Sequence, residues 1–336
     1  NGTTFYIYGF QNELVTYQTT PRAYNATTSA AYYGPRFDYN PSTLAAQGLL
    51  IEEARTNLAL YSSDFTNAAW VKAGSSSISA NTTIAPDGTL SADTFTTTSS
   101  ASDLMYQAIT VAASTVYTTS MFFKAGTRST LKFMYTGPGY ANSVSVIVNL
   151  AAGTISAVTT TGAASNGAAS VQSVGNGWFR VLLSGAISTD TTGFIHLGYD
   201  SVAGSVNIWG AQLEAGAYAT SYIPTVASSV SRSADSASMT GTNFSSWYNQ
   251  AQGTLYTEFT EPVLTSSLAA GNSGGVTMNA SGANPSIEIT PTQTSIFGQA
   301  RGVGGGTVSA IQILTNARNP GTSWKTAMTY TVSTTG

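Results

Sequence analysis

The sequence predicts an all-β chain: two tandem antiparallel β-sandwiches of the jelly-roll kind, preceded by an extended N-terminal arm. Three observations predict it. Short segments of β-branched and aromatic residues recur along the chain, separated by Gly, Asn, Asp and Ser, the residues that supply turns. Leu49 to Leu60 and Val206 to Leu213 each carry an apolar run followed by an aromatic-rich turn, so they read as first and last strands of one sandwich. And 336 residues leave room for two domains, each with its own core.

Residues 1–47 form the arm, rich in Tyr, Thr, Asn and Ala, with a strand expected at Thr3 to Phe10. Two readings of it stand side by side: attachment to another subunit, or an edge strand along the first sandwich. Leu49 to Leu60 fits a short amphipathic helix as well as strands. Strands are preferred, because Gln47-Gly48 supplies no helix cap and the surrounding chain is β. Ser63 or Asp64 can cap a single helical turn that points Phe65, Ala69 and Trp70 at the core. Ala85-Pro86-Asp87-Gly88-Thr89 is a turn.

Strands then follow at Leu104 to Val111, Val116 to Lys124, Thr130 to Thr136, Ser143 to Asn149, Ser170 to Val174, Trp178 to Ser184, Phe194 to Tyr199 and Val206 to Leu213. Asn176-Gly177 is the dipeptide of a type I′ hairpin, in which both central residues take positive φ. The first sandwich therefore spans 48–225, with roughly eight to ten strands. Residues 226–240, mostly Ser and Ala, read as a linker. After a short helical or turn segment at Phe244 to Gln252, strands at Thr254 to Phe259, Gly275 to Asn279, Ser286 to Thr290, Ser295 to Gln299, Val308 to Leu314 and Trp324 to Val332 build a second sandwich in 241–336.

Charged residues make up 8% of the chain and hydrophobic ones 42%, so Ser, Thr, Asn, Gln and Gly must cover the surface. So neutral a surface favours association with other copies, and a homotrimer is expected. The 12 Lys and Arg are scattered singly, leaving no stripe to follow a phosphate backbone, so nucleic acid is not an expected partner. Without cysteine, disulfides and thiolate metal sites are excluded. No apolar stretch is long enough to span a bilayer as a helix, and no basic-then-apolar leader opens the sequence, so membrane insertion is not expected. The sequence starts at Asn1 rather than Met, as expected either after removal of a preceding piece or for part of a longer chain.

Catalytic constellations are weak. Gly271-Asn272-Ser273-Gly274-Gly275 matches G-x-S-x-G, but the single histidine, His196, lies in the other sandwich and no helix follows the serine. Gly302 to Gly306 has the glycines of a phosphate loop without its Lys-Ser/Thr. Glu52, Glu53, Asp190, Asp200 and Glu214 can supply the carboxylate pair of a glycosidase, yet Glu53 and Glu214 suit pairing with Arg55 or capping of backbone better. No cofactor is expected. A structural calcium ion on scattered oxygens stays open, although no D-x-D-x-D loop is present.

Binding through aromatic rings is the chemistry the sequence favours. A pyranose offers an apolar C–H face to Tyr or Trp, and its hydroxyls need amides and carboxylates nearby. Tyr135 and Tyr140 flank the loop Thr136 to Gly139 with Asn142 close by, and His196, Tyr199 and Asp200 form a second mixed cluster. These six are the candidate carbohydrate-binding residues. Core packing remains the competing reading for Tyr135, Tyr140 and Tyr199, and is preferred for Trp178 and Trp209.

Four blocks also carry a resemblance. GPRFDYNP at Gly34 to Pro41, GLLIEEARTNLALYSSDF at Gly48 to Phe65, GNGWFRV at Gly175 to Val181 and WGAQLEAGAYATSYIPT at Trp209 to Thr225 look like the head spike and tail fibre domain of tailed phages. The resemblance covers Arg22 to Asp235. It implies a jelly roll similar to carbohydrate-binding modules, in a non-catalytic fibre, spike or decoration protein on the virion surface, with other virion proteins and a host surface glycan as partners. Two alternatives accompany it: a glycan-cleaving tailspike, and a structural capsid component that binds no sugar. GTLYTEF and TSWKTAMTY, at Gly253 to Phe259 and Thr322 to Tyr330, are similar to the opening half of laminin-G or concanavalin-like lectin domains. Gly336 would then fall about half way through such a domain, leaving it incomplete or completed by neighbouring copies.

Overall fold

The computed structural model describes residues 36–40, 43, 45–249, 251–260, 276–279, 286–291, 296–301, 307–314 and 323–331. The strand expected at Thr3 to Phe10 and the glycine loops at Gly271 to Gly275 and Gly302 to Gly306 lie outside them. The chain divides into two units, Asn1–Ala237 and Ser238–Gly336, both built of antiparallel strands.

The first unit opens with a two-stranded hairpin, β1 (Phe37–Tyr39) and β2 (Ala46–Leu49), then β3 (Arg55–Asn57). Its body follows as β4 (Val71–Ala73), β5 (Ser77–Ile84), β6 (Leu90–Thr97), β7 (Leu104–Thr110), β8 (Tyr117–Ala125), β9 (Thr130–Thr136) and β10 (Ser143–Asn149). It continues through β11 (Thr154–Ile155), β12 (Thr159–Thr161), β13 (Ser165–Ser173), β14 (Trp178–Ala186), β15 (Thr192–Gly198), β16 (Gly204–Ala215) and β17 (Val230–Arg232).

Two sheets result. One runs β11-β10-β9-β15-β7-β4, with β12 also on β10, and the other runs β13-β14-β8-β16-β6-β5. Neighbours such as β9–β15–β7 and β14–β8–β16–β6 are far apart in sequence, so the chain crosses between sheets as jelly-roll winding requires. Alternate residues of both sheets meet in one core: Met105, Ile109, Phe133, Val146, Ile195 and Leu197 from the first, Phe95, Met121, Phe123, Leu183, Val206 and Ile208 from the second.

The second sheet's outer face is itself covered. Phe122, Trp178 and Trp209 lie buried there with Ala85 and Ala92, and Tyr222 folds over them, its ring 4.6 Å from that of Trp209. Trp178 and Trp209 are thus packing residues, as the sequence indicated, and their Nε1 atoms donate to Ile84 O and Ser91 Oγ. On the first sheet's outer face the loops after β9 and β15 bring Tyr140 and Tyr199 over His196.

The blocks at Leu49 to Leu60 and Val206 to Leu213 do meet. Only Arg55–Asn57 of Leu49 to Leu60 is a strand beyond Leu49 itself; residues 50–54 are held by isolated backbone bonds, such as Leu50 N to Arg36 O, and by side chains. Glu52 accepts from Arg36 Nη1, Ser221 N and Ser221 Oγ, and Arg36 also pairs with Asp235. Leu58 N then donates to Leu213 O at 2.9 Å, placing the first block against β16. The segment read as linker is partly ordered onto this unit: β17 pairs with β3, and Asp235 N donates to Glu52 O.

Ser62 to Trp70 forms consecutive turns instead of one helical turn. Asp64 Oδ1 accepts from Thr66 N and Asn67 Oδ1 from Ala69 N, local bonds that compete with helix. Phe65 and Trp70 still reach the core, with ring centroids 5.0 Å apart. The Asn176-Gly177 turn is as predicted: both residues have positive φ, 51° and 76°, and Trp178 N donates to Gly175 O.

Gly210 sits where β16 slips register against β8, with φ of 65°. A Cβ there would come within 2.8 Å of Phe122 Cδ2. Gly210→Ala should therefore cost about 2 kcal/mol through backbone strain and overpacking, read as a lower denaturant midpoint at unchanged slope.

The second unit holds α1 (Thr242–Ser245) and the pair β18 (Gln252–Thr260) with β23 (Ser323–Thr331). A four-stranded sheet runs in order through β19 (Val276–Asn279), β20 (Ser286–Pro291), β21 (Ile296–Arg301) and β22 (Thr307–Leu314). Leu255 and Phe259 of β18 and Trp324 and Met328 of β23 alternate inward and pack on Ile289 and Ile296 of the other sheet.

Candidate functional site

Side chains on the outer face of the first sheet follow from strand register. Cross-strand partners share a face, and Val71, Tyr106, His196, Met134 and Ser145 lie opposite one another across β4, β7, β15, β9 and β10. Phe194 is two residues from His196 on β15 and shares its face. The loop after β9 turns back over this row through a short 3-10 segment, Pro138–Tyr140, and the loop after β15 brings Tyr199 alongside.

The outcome is one continuous aromatic cluster. Tyr140 and Tyr199 stack with centroids 5.0 Å apart and planes 7° from parallel. Tyr140 also lies 4.9 Å from the His196 ring, which in turn meets Tyr106 at 5.2 Å and Phe194 at 5.6 Å. Tyr106 and Phe194 contact edge to face at 5.9 Å. Each such pair adds about 0.5–1.5 kcal/mol beyond burial. Tyr140 and Tyr199 both hold φ of 61°, a left-handed conformation uncommon for a bulky residue. Tyr199 is 41% exposed and the Lys132 ammonium lies over its ring, 5.5 Å from the centroid.

The six residues expected from sequence separate into two groups. Tyr140, His196 and Tyr199, which the sequence divided between two clusters, come together in one. Tyr135 does not join them: it points to the other face of β9, wholly buried, its ring 6.4 Å from Tyr117, and burial drives its hydroxyl far above the usual range. Its assignment to sugar binding is corrected, since Leu131, Phe133 and Tyr135 form the inward set of that strand. Asn142 and Asp200 are near the cluster but committed to bracing loops. Asn142 Nδ2 donates to Asp190 and its Oδ1 accepts from Ala163 N, while Asp200 pairs with buried Arg128 and accepts from Lys132 N.

Sequence reading missed Tyr106, Phe194 and Lys132. The i, i+2 spacing of Phe194 and His196 is a signal that was available, but the alignment of Tyr106 with His196 depends on pairing between distant strands.

The other carboxylates considered for catalysis are held by their own chain. Glu53 pairs with Arg55 and accepts from the Tyr218 hydroxyl, and Glu214 accepts from Thr220 N at 2.9 Å and Thr220 Oγ1 at 2.5 Å, the pairing and capping roles expected. Among the described residues, no three His, Cys, Asp or Glu side chains stand together as a metal site, and no helix is long and apolar enough to cross a membrane.

His196 is the titratable group at the floor of the cluster. It is 4% exposed with Nδ1 unpartnered, and burial pulls its pKa from 6.5 down to about 4. The unfolded chain therefore binds a proton that the fold refuses between those values. The stability contributed by neutral His196 is complete above about pH 6.5 and is lost as pH falls toward 4, a change of about 3 kcal/mol. Thermal unfolding across this range should show a shallower decline for His196→Leu than for the parent chain; parallel curves would reject the assignment.

No protein-family profile matches the chain, and no curated protein matches it. The likeness to phage fibre domains, to carbohydrate-binding modules and to laminin-G domains thus rests on the sequence blocks quoted above. Among solved structures, the chain is similar to the enzymatically active domain of tailspike protein 4 of bacteriophage CBA120, at 12% identity and a TM-score of 0.31. The match covers 47% of this chain and 21% of that one, about a fifth of its length. Likeness at that level transfers neither activity nor partner. The sequence reading of a non-catalytic chain is nonetheless corrected: the solved protein found is an enzymatically active domain, and "non-catalytic" is withdrawn as a description of this chain.

Proposed function

We propose that the chain is a fibre, spike or decoration protein on the surface of a tailed-phage particle, and that its first sandwich holds host surface glycans on the aromatic face described above. The observation that carries this reading is the parallel Tyr140–Tyr199 stack that the loops after β9 and β15 place on the outer face of the first sheet, with Tyr199 41% exposed. Aromatic rings offered to solvent in this way suit the C–H face of a pyranose, and the neighbouring tyrosine hydroxyls and Lys132 can meet its hydroxyls. The four sequence blocks and the low charge of the chain support its place in an assembled particle, with other virion proteins and two further copies of itself as partners. Several weak sites displayed together then add through effective concentration.

An array of bacterial surface polysaccharides probed with the intact protein tests the proposal. Tyr199→Ala should lower the apparent affinity for any glycan bound about tenfold, equivalent to about 1.4 kcal/mol. An array blank at high display density would leave a structural role in the particle. New reducing ends released during incubation would replace holding with cleavage.

A further inference from the structure

Resting on that reading, the surroundings of Tyr199 narrow the class of sugar. We infer that the ligand is an anionic, carboxylate-bearing glycan of the uronic-acid type, and that Lys132 is the residue that selects it.

Lys132 leaves β9 on the outer face, and its ammonium lies 5.5 Å over the Tyr199 ring. Among the described residues it makes no ion pair. The acid closest to it along the fold, Asp200, accepts from the Lys132 backbone N but is neutralised by Arg128, which is itself buried. That pair cancels, which leaves Lys132 as the cation of the cluster, on the side chain that overlies its most exposed ring, while the Asp190 carboxylate accepts from Asn142 Nδ2. The cross-strand neighbour of Lys132 on β10 is Ile147, which offers no charge.

Selection follows from what a sugar must displace. In the empty protein the cation–π contact occupies part of the Tyr199 face that a pyranose would use. A neutral sugar has to move the ammonium and gives nothing back, whereas a sugar bearing a carboxylate moves it into an ion pair at the rim of the stack. The same residue therefore weakens neutral ligands and strengthens acidic ones, and discrimination depends on both effects. A single ammonium matches the single charge of a carboxylate better than the nearly double charge of a phosphate monoester.

A panel of uronic-acid capsular polysaccharides, each beside its carboxyl-reduced form, separates the outcomes when titrated against the intact protein and Lys132→Met. The acidic form should bind about tenfold more tightly than its reduced form, and raising salt from about 0.05 to 0.5 M should close most of that gap. Lys132→Met should lose the preference from both sides, weakening acidic ligands and strengthening reduced ones by about two- to fivefold. Equal binding of the two forms, or a preference that survives Lys132→Met, overturns the inference while leaving the aromatic platform in place. Binding of neither form removes the platform, and the inference with it.

Discussion

Replacing Asn57 with Ala is expected to destabilise the first unit by about 4 kcal/mol, a fall in melting temperature of about 10 °C. Asn57 is fully buried and spends its whole amide on backbone. Its Nδ2 donates to Ala211 O at 3.1 Å and Ile223 O at 2.8 Å, while its Oδ1 accepts from Ala59 N and Leu213 N, both at 3.0 Å. Those partners belong to three pieces of chain: the segment after β3, the bulged centre of β16, and the stretch leading away from β16. A backbone ladder cannot join them, because β16 already pairs with β8 on one side and slips register at this point. Truncation to Ala leaves two donors and two acceptors without partners away from water, and each buried polar group so stranded costs about 1–3 kcal/mol. Asn57→Asp keeps the acceptor side but loses both donors and buries a charge, so it should be at least as damaging. Thermal unfolding followed by near-UV circular dichroism reads the effect. A shift under about 3 °C for Asn57→Ala would mean that the first block is held to β16 by Leu58 and the apolar contacts alone.

That residue also shows what a sequence displays and what it hides. The strands Thr130–Thr136 and Ser143–Asn149 were legible to the residue because their apolar positions alternate cleanly, and period-two alternation is a local property. Ser77–Ile84 and Leu90–Thr97 were missed because they are mostly Ser, Thr and Asn, with Ile78 and Phe95 the large apolar residues they give to the core. The GLLIEEARTNL block lies beside the last strand and is strand at Leu49 and at Arg55–Asn57, with residues 50–54 between them outside any strand. Its acids and arginines bind side chain to side chain, and nothing in a linear pattern distinguishes that from a ladder. The candidate site divides in the same way. That Tyr135 faces inward is settled by strand parity, which the inward set of Leu131, Phe133 and Tyr135 already declares, whereas Tyr140 is placed by the loop after β9. That Tyr106 and Lys132 join Tyr140, His196 and Tyr199 is settled by pairing across β7, β15 and β9, and register between strands separated by up to ninety residues has no local signature.

A second large effect is expected at Glu214, where the same β16 carries a buried charge. Glu214 is fully buried and accepts from Gln212 Nε2 at 2.7 Å as well as from both donors of Thr220. Thr220 O in turn accepts from Arg180 Nη2 at 2.8 Å, and the same nitrogen reaches Ser120 Oγ, so anion and cation are joined through one threonine. Burial pulls the Arg180 pKa down to about 10, opposed by the negative charge of Glu214 and Glu52. Arg180 therefore stays cationic at neutral pH. Glu214→Ala removes the larger compensation, strands Thr220 N and leaves the Arg180 guanidinium opposed by Glu52 alone, a loss of about 3–5 kcal/mol. The melting temperature should fall by about 10–15 °C. Removing the cation as well should recover much of that loss: the Arg180 guanidinium lies over the Phe122 ring, 5.3 Å from its centroid, Arg180→Met puts an apolar group there, and linked charges replaced together by apolar groups are often close to neutral. The double variant Glu214→Ala/Arg180→Met should consequently be more stable than Glu214→Ala alone, with a coupling of about 2 kcal/mol in the double-mutant cycle. Additive losses would show instead that Glu214 acts through its hydrogen bonds to Thr220 and Gln212, shaping the bend after β16 rather than balancing Arg180.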